Sequence, residues 1–85
     1  MQLTITKAIA ESLQKLEHVP DHLRQRIAGI APSGDGFVLK LSDEDAMALA
    51  ELAQWHIRTD PATGKPTAET APFAELIRLI DEAQF

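Results

Sequence analysis

FVLKLSDEDAMALAELAQWHIR, residues 37–58, reads as a short strand that runs straight into a capped helix. Phe37, Leu39 and Leu41 alternate with Val38 and Lys40, the period of two that turns one face of a strand inward. Ser42 follows as an N-cap, and Asp45 stands at the position from which a capping-box acid reaches back. Asp43 and Glu44 add negative charge beside the first-turn amides. At about 100° per residue, Ala46, Ala48, Leu49, Ala50, Leu52, Ala53, His56 and Ile57 share one wide arc, with Trp55 at its edge. So wide an apolar arc predicts more than one packing neighbour, and its alanines let another helix come close. Met47 is the exception and points to the polar side with Glu44, Glu51, Gln54 and Arg58.

Before this stretch, Ile9, Leu13 and Leu16 recur at helical spacing and predict a helix from about Lys7 to Glu17, capped by Thr6 or Thr4, with Lys7 and Glu11 paired outside. Leu3 and Ile5 alternate with Gln2 and Thr4, so residues 1–5 suit an edge strand as well as a helical lead-in. Val19 and Pro20 break the first helix. A second, Asp21 to Ala28, buries Leu23, Ile27 and Ile30, and Gly29 stops it in the left-handed conformation.

Asp35-Gly36 then marks a hairpin whose first strand, containing Pro32, must be a short edge. A two-stranded hairpin is marginal in water, so it needs the central helix across its Phe37, Leu39 and Leu41 face, or a third strand from residues 2 to 5. After Arg58 the segment TDPATGKPTAETAP has no apolar anchor before Phe73, which makes residues 59–70 long for a helix connection and either mobile or functional. The last helix starts near Thr70 to Pro72 and runs to the C-terminus, with Phe73, Leu76, Ile77, Ile80 and Ala83 on one face. The sum is one mainly helical α+β domain over 1–85: an N-terminal helical pair, a short β-hairpin, a central helix, a long loop and a C-terminal amphipathic helix.

Composition narrows the chemistry. The 85 residues contain 45% hydrophobic and 25% charged side chains, which is globular, and no cysteine, which removes disulfides, thiolate metal sites and cysteine nucleophiles. No apolar run approaches the roughly 20 residues of a membrane span, and the N-terminus lacks a signal-peptide pattern, so the expected location is cytoplasmic and away from membranes. A net charge of -5 opposes general nucleic-acid binding. That charge is uneven: residues 1–42 carry five basic and four acidic groups, net +1, and residues 43–85 carry three basic and nine acidic, net -6.

Few residues suggest a site. His56 inside an apolar arc is either a helix-end histidine bonded to a loop carbonyl, the commoner situation, or a general base or pH switch near Asp60. Trp55 and Met47 form a partner surface unless the long loop or the last helix folds over them. His18, Asp21 and His22 resemble metal ligands, but Pro20 keeps the histidines off one helix. Thr63-Gly64-Lys65-Pro66-Thr67 fails as a phosphate loop because Thr59 replaces the required glycine and Pro66 the hydroxyl residue. Ser12, Ser33 and Ser42 lie in no nucleophile elbow.

The expectation is a small interaction or regulatory domain without catalytic activity, cofactor or metal. It binds another protein, or a second copy of itself, through Trp55, Met47, His56 and Asp60. The alternative is nucleic-acid binding by the helix-turn-helix-like segment 7–28, using Arg24 and Arg26.

Overall fold

Strand β3, Gly36–Lys40, is the middle of a three-stranded antiparallel sheet because both of its edges find partners. A computed structural model describes residues 2–84; Met1 and Phe85, assigned above to the first strand and the last helix, lie outside them. Strand β1, Gln2–Ile5, pairs Leu3 with Leu39 and Ile5 with Phe37, which puts Leu3, Ile5, Leu39 and Leu41 into the core and leaves Gln2 and Thr4 exposed. The ambiguity of residues 2–5 is thus resolved as strand. Strand β2, Ala31–Ser33, is a three-residue edge that carries Pro32 opposite Phe37, the one kind of place where a missing ladder donor costs little.

The hairpin turn falls one residue earlier than Asp35-Gly36 suggests. Ser33 pairs with Gly36, so Gly34 and Asp35 are the loop, and Gly34 supplies the positive φ of 60° at the first turn position, as in a II′ turn. Gly36 has a different task. A Cβ there would lie 2.8 Å from the Ile5 carbonyl oxygen, so only glycine lets β1 and β3 meet at that end.

Thr6 ends β1 and caps helix α1, Lys7–Gln14, accepting a hydrogen bond from Ile9 N at 3.2 Å. The helix stops short of the expected Glu17. Leu16 N bonds back to Leu13 O, three residues away, and His18 turns left-handed at φ 58° ahead of Pro20, a tightened last turn followed by a chain reversal. Helix α2, Asp21–Ala28, buries Leu23 and Ile27. Gly29 ends it at φ -84°, so the left-handed stop expected there is not used; the Gly29 N–H reaches Gln25 O and Arg26 O instead.

Helix α3, Asp43–His56, begins as the sequence predicts, with Ser42 Oγ accepting from Asp45 N at 3.1 Å. It ends two residues before Arg58, since Ile57 is extended and half-buried. Its fully buried apolar line is Ala46, Leu49 and Ala53, narrower than the arc read from the sequence. The expected cover of the sheet also changes. α3 packs mainly on helix α4, Ala71–Gln84, and next on α2, whereas the sheet is covered by α4 over β1 and by α1 and α2 over β3. In α4, Phe73, Leu76 and Ile80 are buried, Ile77 is half-buried, and Ala83, placed on the same face by periodicity, is exposed. All four helices and the sheet contribute to one hydrophobic cluster. The radius of gyration, 12.4 Å, is close to the roughly 12 Å of a compact chain this long.

Gly36→Ala is expected to destabilise the protein by about 1–3 kcal/mol, because the clash is with backbone rather than with a movable side chain. Urea unfolding of the variant checks this, and a stability equal to the parent's contradicts the close approach of β1 and β3.

Candidate functional site

Helix α3 is a ridge with a depression on each side. Its inward residues are consumed by α4 and α2, so the opposite stripe is left to solvent. There Met47, Glu51, Gln54 and Trp55 follow one another at offsets of four, seven and eight residues, spacings that return to one helix face. Met47 is 66% and Trp55 82% exposed, and they are the exposed large hydrophobic side chains among the described residues. Neither the 59–70 loop nor α4 folds over them.

Between α3 and α2 lies a groove of about 270 Å³ lined by Pro20, Leu23, Ala48, Leu52, Glu51 and Trp55. Between α3 and α4 lies another of about 440 Å³, where Met47, Ala50, Ile77 and Ile80 meet Glu51, Gln54 and Asp81. The crest itself holds a third hollow, bounded by Glu51, Gln54 and Trp55.

What fixes the ridge at its N-terminal end is Asp45. This carboxylate is only 8% exposed, accepts from Arg26 Nε of α2 at 2.9 Å and has His22 Nε2 at 3.8 Å. Burial raises its pKa, but the hydrogen bonds from Arg26 and Ser42 and the guanidinium charge outweigh that and hold the carboxyl below the ordinary aspartate value. The residue read as a capping acid is thus also the polar tie between α2 and α3. Sequence spacing shows the cap and not the tie, because Arg26 lies nineteen residues away.

The other end is fixed by Thr70, whose sequence position marks only the approach to the last helix. Its side chain is almost fully buried; the hydroxyl accepts from Arg58 N at 3.2 Å, donates to Arg58 O at 3.1 Å and lies 2.8 Å from the Thr67 hydroxyl. Around it the segment, which has no apolar anchor, bonds to itself. Thr59 bridges Pro66, Thr67 N donates to Arg58 O, and Asp60 N donates to Lys65 O. Asp60 organises this turn, since its Oδ1 accepts from Ala62 N at 2.8 Å and its carbonyl from Gly64 N, a side-chain-mimicked turn closed by Gly64 at φ 70°.

The four residues singled out from the sequence therefore divide. Trp55 and Met47 share the exposed stripe, and Asp60 sits in the loop turn. His56 is on the far side of α3, half-buried, its ring 5.6 Å from that of Phe73. Its Nδ1–H donates to Leu52 O of its own helix at 2.9 Å, not to a loop carbonyl. His56 does line an open pocket of about 460 Å³ with Ser12, Lys15, Leu16, Glu69 and Phe73. Among the described residues no hydrogen bond joins Ser12 or a carboxylate to the ring.

Arg24 and Arg26 are both exposed, and the Arg26 guanidinium is paired with Asp45. His18 is exposed in its left-handed turn, and His22 leans on Asp45. No group of residues suited to a metal ion occurs among the described residues. No family model, curated protein or solved structure matches the chain.

Two outcomes are expected. Asp45→Asn should be less stable than the parent at neutral pH. A carboxyl whose folded pKa is lowered contributes stability above its unfolded value and loses it as pH falls through the folded one, so the gap should close in acid; urea midpoints down a pH series measure it, and a pH-independent gap contradicts it. Thr70→Val keeps the shape but strips the Arg58 backbone of its hydroxyl partner, with an expected cost of about 1–3 kcal/mol. Faster amide exchange confined to residues 58–70 would accompany it.

Proposed function

We propose that this chain is a small, non-catalytic interaction or regulatory domain of the cytoplasm that binds another protein through the outward stripe of α3. The observation that carries the proposal is the exposure of Trp55, together with Met47, on a helix whose other large apolar side chains are buried or half-buried. Folding gains almost nothing from a tryptophan left in water. Covering about 200 Å² of it at about 25 cal/mol per Å² would give a partner up to about 5 kcal/mol of gross drive, against the cost of association.

Tryptophan is also among the residue types that dominate interface energetics when they enter a pocket. The grooves beside the stripe supply depth on the domain's own side, and Met47 supplies a side chain that adapts to a partner's shape. The Asp45 and Thr70 ties hold the two ends of α3 and so present the stripe in one geometry, which reduces the ordering cost of binding. No helix of the described residues is long and apolar enough to cross a membrane.

The test is affinity capture from native cell extract with the parent chain and with Trp55→Ala, read by mass spectrometry. The variant is expected to lose the captured protein while its unfolding free energy stays within about 0.5 kcal/mol of the parent's, as for other exposed positions. A partner retained equally by a folded Trp55→Ala chain would place binding elsewhere.

A further inference from the structure

All three hollows that border the outward stripe of α3 are walled in part by Glu51, and no lysine or arginine lines any of them. The α3–α4 groove adds Asp81 on its far wall. Among the described residues neither Glu51 nor Asp81 is in an ion pair. By contrast, Glu75 and Glu82 are neutralised by Arg78, Glu11 by Lys7 and Asp45 by Arg26. Asp43 and Glu44 continue the negative charge to the start of the helix, in a half-chain whose net charge is -6 from three basic and nine acidic residues. The groove therefore joins an apolar floor, built from Met47, Ala50 and Ile77, to walls of uncompensated carboxylate.

A second copy of the chain is a poor occupant. A two-fold contact sets the same patch against itself, so Glu51 and Asp81 would face like charges with no base on the patch to answer them. The complementary occupant is cationic. From Met47 to Trp55 the stripe runs about 12 Å along the helix axis, which a partner helix of three turns, about 16 Å, spans.

We propose that the α3–α4 groove receives a basic amphipathic helix of another protein, in the helix-in-groove manner, with Trp55 across the crest of α3 in the hollow that shares Glu51 and Gln54 with that groove. Its apolar line rests on Met47, Ala50 and Ile77, and its edge over the α3 crest meets Trp55 beyond Glu51 and Gln54. Lysine or arginine side chains on either flank of that line reach Glu51 and Asp81. The proposal rests on the reading of the α3 stripe as a partner surface and adds the partner's chemistry.

The probe is a synthetic amphipathic peptide of about 18 residues, leucine and alanine on one face and lysine on the other, without tryptophan, beside a twin in which every lysine is glutamate. Each is titrated into the full chain at low salt. Binding is followed by the fluorescence of Trp55, the chain's single tryptophan, and mapped by backbone amide shifts. The lysine peptide is expected to bind at least about tenfold tighter than its twin, with the largest shifts at Met47, Glu51, Trp55 and Asp81. Glu51→Lys should weaken it by about tenfold or more, whereas Asp35→Lys, the same charge change at the hairpin turn, should stay within about twofold.

Equal affinity for the two peptides, equal losses in the two reversals, no binding of the lysine peptide, or a concentration-dependent dimer that covers Trp55 would each overturn the proposal. If the lysine peptide fails while Trp55→Ala still abolishes capture from extract, the partner surface stands and only its basic-helix chemistry falls. Retention of the captured protein by Trp55→Ala brings down both.

Discussion

The apolar seam between α3 and α4 is the contact on which the arrangement of this molecule depends. α3 is not a main cover of the sheet; α4 is, over β1, and it also packs on α1, so α4 is the principal link between α3 and the rest of the core, with α2 the second. Leu49 and Leu76 are wholly buried and Ile80 nearly so, and removing one such side chain costs about 2–5 kcal/mol. A lost helix cap costs about 1 kcal/mol. On that scale the seam outranks every local device along α3, and the caps refine a placement that packing has already chosen.

The same seam explains why α3 shows an exposed tryptophan. A helix has only so much circumference. The alanines at 46 and 53 let α3 approach its neighbours closely, and with Leu49 they satisfy the core from a narrow line. What remains outward is a stripe that packing does not require to be polar, and it is there that Met47 and Trp55 stand, with Glu51 and Gln54 between them. Stability and surface are thus separable on one helix, and its outward residues can answer to a partner without cost to the fold.

Two polar ties hold that helix at its ends, and both work by satisfying groups that burial would otherwise strand. Asp45 is kept charged in a nearly buried place by Arg26 and Ser42, and Thr70 takes up both polar backbone groups of Arg58 where the chain leaves α3. No buried side-chain nitrogen or oxygen among the described residues lacks a partner, which is how a native-like core is expected to treat its polar atoms. His56 belongs to this structural class: it bonds its own helix and rests against Phe73.

Much of this was legible in the residues because it is decided within a few positions of the chain. Alternation in 37–41, the Ser42 cap, the apolar spacing of α1, α2 and α4 and the break at Pro20 are local consequences of strand and helix periods and of backbone sterics, and the order of elements follows from them. That residues 59–70 hold no apolar anchor is legible; that a polar one replaces it is not, because it is the hydroxyl of Thr70 on a backbone twelve positions away. Which surfaces meet is not a local property. That α4 rather than α3 covers β1, that Gly36 is needed for the approach of Ile5, that Arg26 finds Asp45, and that Trp55 and Met47 are left uncovered were decided only in the tertiary structure. An apolar stripe states that a face can be buried, and the choice of what buries it is made by the competition of all such faces for one small core.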